Sequence, residues 1–84
     1  GGNTGMRLDK YLKVSRIIKR RTVANEACSQ GRVLVNDKVA KPGTEVKEGD
    51  IIQIRFGEHV RRYEVLSVKE HVSKNEAVDM YREL

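Results

Sequence analysis

From Arg7 to Arg21 the chain reads RLDKYLKVSRIIKRR, and the basic residues Arg7, Lys10, Lys13, Arg16 and Lys19 recur at every third position. A period of three cannot stay on one face of an α-helix, which turns every 3.6 residues. Helical geometry puts Leu8, Tyr11, Leu12 and Ser15 on one mostly apolar face, with Arg7, Lys10 and Lys13 opposite. Were the same helix to continue, Arg16 and Lys19 would rotate into the apolar side, and Ile17 and Ile18 would turn among the cations. The helix therefore ends near Val14 to Arg16. A turn follows that tucks one or both isoleucines inward and leaves Lys19, Arg20 and Arg21 outside.

Thr22 then serves as the N-cap of a second helix, because its hydroxyl can satisfy an orphan amide of the first turn. The capping box is incomplete, since Asn25 stands where Glu or Gln would complete it. Val23, Ala24, Ala27 and Cys28 form the inner stripe, mostly small, which points to close approach of the two helices. Gly31 stops the helix, where a left-handed conformation costs glycine little. From Arg32 the apolar period changes from helical to extended. A strand is predicted over 33–35, a turn at Asn36-Asp37, a return over 38–40, and further strands over 51–54 and 60–68. A helix over 75–84 closes the chain, with Ala77, Val78, Met80, Tyr81 and Leu84 as its apolar positions. The expected fold class is α+β: two N-terminal helices packed on a small antiparallel or mixed sheet, with a short C-terminal helix.

At 84 residues the chain suits one small domain. The opening Gly-Gly-Asn-Thr-Gly, residues 1–5, reads as an appended remnant before a natural start at Met6. No apolar run approaches a membrane span or a signal peptide, so a cytoplasmic protein is expected. Cys28 is the only cysteine, which excludes an internal disulfide, and its place in the apolar stripe makes it a core residue. His59 and His71 lack partners at zinc-ligand spacing. With no glycine-rich phosphate loop and no nucleophile beside a base, neither catalysis, a metal nor a cofactor is expected.

Charge carries the functional reading. The net charge is +5, yet seven cations and one anion fall between Arg7 and Arg21, while 70–84 holds four anions and two cations. Ordinary surfaces interleave both signs, so this segregation points to a polyanion. A lipid surface is disfavoured because no large apolar face accompanies the cations. Three tyrosines, one phenylalanine and no tryptophan are too few for single-strand binding by serial stacking, which favours folded nucleic acid met through its backbone. Tyr63 and Tyr81 are expected in the core. Arg61 and Arg62 are neighbours on a strand and so point to opposite faces.

An ordered set of residues resembles the S4-like RNA-binding domain: RLDKYL at 7–12, Arg16, Lys19 to Thr22, Ala24, Gly31 to Val33, Val35-Asn36, Lys41-Pro42, Val46 and Gly49-Asp50. The resemblance implies two helices on a small sheet, with the helical corner holding structured RNA. It divides the chain into an S4-like domain over 6–57 and a strand-and-helix extension over 58–84. Candidate phosphate contacts are Arg7, Lys10, Lys13, Arg16, Lys19, Arg20 and Arg21, joined by Arg32, Lys38 and Lys41. Arg32 is equally suited to capping helix carbonyls. Arg7 and Arg21, at the two ends of the run, are expected to bridge separate RNA elements. A free-standing domain of this size is similar to the small ribosome-associated heat-shock and quality-control branch of the family. That branch implies a monomer on large ribosomal subunits carrying an obstructed peptidyl-tRNA, in contact with ribosomal RNA and tRNA. It also implies help with template-free alanine addition, alongside an elongation factor that delivers alanyl-tRNA. Two other functions remain open: a general RNA chaperone or ribosome-assembly factor, and an accessory subunit that recruits an RNA-modifying enzyme through the sheet and terminal helix.

Overall fold

The break in the basic run falls where the periodicity requires it. In the computed structural model, which describes residues 5–68 and 74–84, helix α1 spans Leu8–Val14 and ends on Ser15, and Arg16 turns left-handed at φ 66°. Leu8, Tyr11, Leu12 and Ser15 are buried, Ile18 joins them, and Ile17 is half-covered. The Ile18 amide donates to the Leu12 carbonyl at 3.0 Å, which folds the loop back over the end of the helix. Lys13, Arg16, Lys19 and Arg20 stay exposed.

Helix α2, Arg21–Ser29, departs from the expected start. Arg20, not Thr22, stands at the N-cap with extended backbone, and no side chain caps the helix there. The inner stripe is narrower than expected too: Ala24, Ala27 and Cys28 are buried, but Val23 is 47% exposed. Three small side chains bring α2 against α1 and leave Val23 at the margin of the contact. The C-terminus is closed as glycine allows. Gly31 sits at φ 76°, its amide donates to the Cys28 carbonyl, and the Arg32 amide reaches the Ala27 carbonyl, each at 3.0 Å.

Alternation takes over after Arg32. Strands β2 (Val33–Val35) and β3 (Lys38–Val39) form a hairpin whose turn residues Asn36 and Asp37 are both left-handed, as a two-residue turn demands. A two-residue strand β4 (Glu45–Val46) pairs with a two-residue β1 (Met6–Arg7) that the sequence pattern does not announce. Beside it, the Leu8 and Asp9 amides donate to the Thr44 and Pro42 carbonyls at 2.7 and 3.1 Å, fixing the start of α1. Strands β5 (Ile51–Phe56) and β6 (His59–Val65) pair along their length, β6 ending short of the expected Val68. Register sets Ile52 opposite Tyr63 and Ile54 opposite Arg61, with Gln53 and Arg62 on the other face. Val33, Val35, Ile52, Ile54, Tyr63 and Val65 build one continuous core with the helices.

Of the helix expected over 75–84 only the beginning forms. Helix α3 (Lys74–Ala77) is a single turn, and Tyr81–Glu83 is a strand, β7, paired antiparallel with β6. The antiparallel sheet therefore runs β3-β2-β5-β6-β7. A helix would bury Val78 and Leu84 beside Met80, yet both are exposed while Ala77 and Met80 are buried. The open edge of β6 supplies backbone partners that an isolated helical turn lacks. Tyr81 also gains an edge-on contact with the Tyr63 ring, centroids 5.4 Å apart. Both rings belong to the core or its margin, as expected. The remnant expected before Met6 lies, but for Gly5, outside the described residues, as does His71.

Candidate nucleic-acid interface

The interface is organised around the one anion of the basic run. Asp9 lies in the first turn of α1, and only 2% of its surface is exposed. Its carboxylate accepts the Lys10 amide at 2.8 Å, the Arg7 Nε and Nη2 at 3.2 and 3.3 Å, and the Asn25 Nδ2 from α2 at 3.4 Å. The Arg21 Nε, also from α2, stands 3.6 Å from the same carboxylate. Burial by itself pushes the Asp9 carboxyl upward. The Asn25 amide, the Arg21 guanidinium, the Lys10 N–H and Arg7 together outweigh it and hold the group below the ordinary carboxylate value.

Arg7 and Arg21, at the two ends of the basic run, are neighbours in the fold. The fold of α1 against α2 brings them to one carboxylate. Their side chains remain 56% and 49% exposed, so each keeps guanidinium donors toward solvent. Asp9 fixes two cations side by side instead of cancelling them, and a planar fork held this way suits a phosphate oxygen pair.

Around this pair the other candidates divide. Lys13, Arg16, Lys19 and Arg20 are exposed at the end of α1 and along the loop to α2, one continuous basic corner. Lys10, half-buried, sits between Asp9 and Tyr11 on α1 and has a partner of its own. The Arg32 amide caps α2, and its side chain is exposed. Lys38 is exposed on the edge strand β3, and Lys41 is exposed ahead of the 42–44 segment that anchors α1. The structure thus assembles a corner from 7–21.

Sequence reasoning missed Asp9 as the hub and Asn25 as its donor. A signal existed: Arg21 and Asn25 are four apart on α2 and share a face. Among the described residues no group of His, Cys, Asp and Glu is placed to hold a metal ion, and no helix is long and apolar enough to cross a membrane. Cys28 is buried, and burial, with the Asp9 charge behind it, pushes its thiol up to about 11, so a thiolate nucleophile is disfavoured at neutral pH.

Two helices meeting at a basic corner over a small antiparallel sheet define a class, and the chain belongs to the S4 domain family, which it matches over residues 6–52. It is 60% identical over 76 residues to the "RQC P-site tRNA stabilizing factor" of Halalkalibacterium halodurans, covering 90% of this chain and 86% of that protein. The protein of the same name from Bacillus subtilis is 49% identical over 76 residues, covering 90% and 88%. Among solved structures, trimeric Vibrio cholerae heat shock protein 15 is similar at a TM-score of 0.85 and 31% identity, over 95% of this chain and 82% of that one.

Proposed function

We propose that this protein is a non-enzymatic RNA-binding factor that stabilises a peptidyl-site tRNA on large ribosomal subunits during ribosome-associated quality control. The observation that carries the reading is the convergence of Arg7 and Arg21 on buried Asp9, beside an exposed corner of four further cations. Two guanidinia at fixed spacing can grip backbone phosphates of a folded RNA, and the flexible corner residues add attraction without demanding a sequence. The names of the relatives support tRNA as one ligand. Ribosomal RNA is the second, met by the remainder of the basic corner.

On this reading the protein works in the cytoplasm as a monomer and contributes no bond-making step. It holds the tRNA while an elongation factor delivers alanyl-tRNA for template-free extension of the stalled chain. Co-sedimentation with purified large subunits, with and without tRNA, tests the proposal. Binding strengthened by tRNA is expected; equal binding to both, or none, overturns it.

A further inference from the structure

A groove of about 370 Å³ opens between α2, the loop before it and the end of β5, lined among others by Ile17, Val23, Ile54, Phe56, Arg32 and Arg55. A second hollow of about 270 Å³ adjoins it, sharing Ile17 and Phe56 and reaching His59, Arg61 and Tyr63. Phe56 is the only phenylalanine of the chain, and it is not spent on the core: it is 42% exposed at the mouth of both hollows. Val23, at 47%, is the other large apolar residue left open there. Ile17, Ile18, Val23, Ala27, Ile54 and Phe56 make most of the first groove's wall apolar. Arg32 and Arg55 against one acid, Glu26, leave it a positive balance, Arg61 beyond it being paired with Glu83. Ile17 belongs to the same loop as Arg16, Lys19 and Arg20, so the groove continues directly from the basic corner.

A paired RNA stem offers such a groove only phosphates and sugars. An unstacked nucleotide offers a flat apolar face together with flanking negative charge, which is the combination the groove matches. We propose that the groove receives one unpaired base of the RNA held at the basic corner, with Phe56 as its stacking face and Arg32 and Arg55 toward the flanking phosphates. The inference rests on the RNA-binding reading above and adds what that reading lacks, a point of contact that distinguishes unpaired from paired nucleotides. One such site is compatible with the low aromatic content, because it requires a single ring.

Large subunits carrying tRNA are the probe, with circular dichroism to show that each variant is folded. Phe56→Ala is expected to weaken co-sedimentation about ten-fold, within the range for loss of one stacked base. Phe56→Leu, which keeps apolar area but no aromatic face, is expected to lose nearly as much, and Phe56→Trp to bind as the parent does. The salt dependence of all three is expected to match the parent, because no phosphate contact is removed. A photoreactive benzoyl-phenylalanine at position 56 is expected to cross-link to an unpaired nucleotide. Full binding by Phe56→Ala or Phe56→Leu, or a cross-link to protein alone, overturns the inference while leaving the basic corner standing. Failure of the parent protein to bind these subunits defeats the RNA-binding reading instead.

Discussion

Asp9 shows how one residue changes the meaning of its neighbours. In the sequence it reads as a lone opposing charge; in the fold it is buried and anchors Arg7, Arg21 and Asn25. Its burial depends on contacts from α2, which no spacing within α1 discloses. Removing either arginine should leave the other less well placed, so Arg7→Ala and Arg21→Ala are expected each to lose roughly 1–3 kcal/mol of subunit binding. Their double variant should lose measurably less than the sum, with a coupling of about 0.5 kcal/mol or more. Arg21→Lys keeps the charge without the fork and is expected to recover only part of the loss, whereas Lys10→Ala should lose less than about 1 kcal/mol, below that range for charged contacts. Stability carries a second signature of the same site. The folded Asp9 carboxyl lies below its ordinary value of 3.8, so its contribution is fully present above that pH. It is lost as pH falls from there through the lower folded value. Asp9→Asn is therefore expected to flatten part of the acid limb in urea-unfolding measurements taken from neutral pH downward; an unchanged limb would contradict the assigned network.

At the scale of elements, the legible parts are those where backbone geometry forces the residue. The break at Arg16, the stop at Gly31 and the turn at Asn36-Asp37 all need left-handed backbone or a change of period, and all were readable. The pairs β1–β4 and β6–β7 were not, because strands of two or three residues are too short to show alternation. What decides them is the free edge or loop they meet, which lies far away in sequence. Tyr11 joins two of these elements: its hydroxyl donates to the Met80 carbonyl at 2.6 Å, just before β7. That carbonyl also accepts the Leu66 and Ser67 amides, so it keeps partners if the hydroxyl goes. Tyr11→Phe is accordingly expected to cost about 1 kcal/mol in denaturant unfolding, the net value of one hydrogen bond. Packing of α1 on α2 is less forgiving of added volume. Cys28→Ala should cost at most about 1–2 kcal/mol and leave RNA binding intact, while Ala24→Leu, at a fully buried position, should cost about 1–3 kcal/mol through overpacking.

Across the whole molecule the charges divide by partner as well as by sign. On the β6–β7 side two of the three arginines are matched: Arg61 stands 3.6 Å from Glu83, and Arg82 pairs with Glu64. At the helical corner Asp9 serves two arginines at once, and Arg16, Lys19 and Arg20 project into solvent. The net charge of +5 is thus presented mainly from one end, which is the condition for an oriented encounter with a polyanion. Several phosphates neutralised there would release condensed counterions, so log K for structured RNA is expected to fall against log salt with a slope on the order of −3 to −5. Arg21→Ala should reduce the steepness by roughly one, whatever the RNA sequence, because a phosphate contact positions without specifying. A titration from low to physiological salt, followed by anisotropy of labelled tRNA, measures both. A flat response in the parent would mean that the corner does not hold phosphates. A parent slope left unchanged by Arg21→Ala would place the gripping cations elsewhere on the surface, and the arginine pair on Asp9 would then be a device of folding alone.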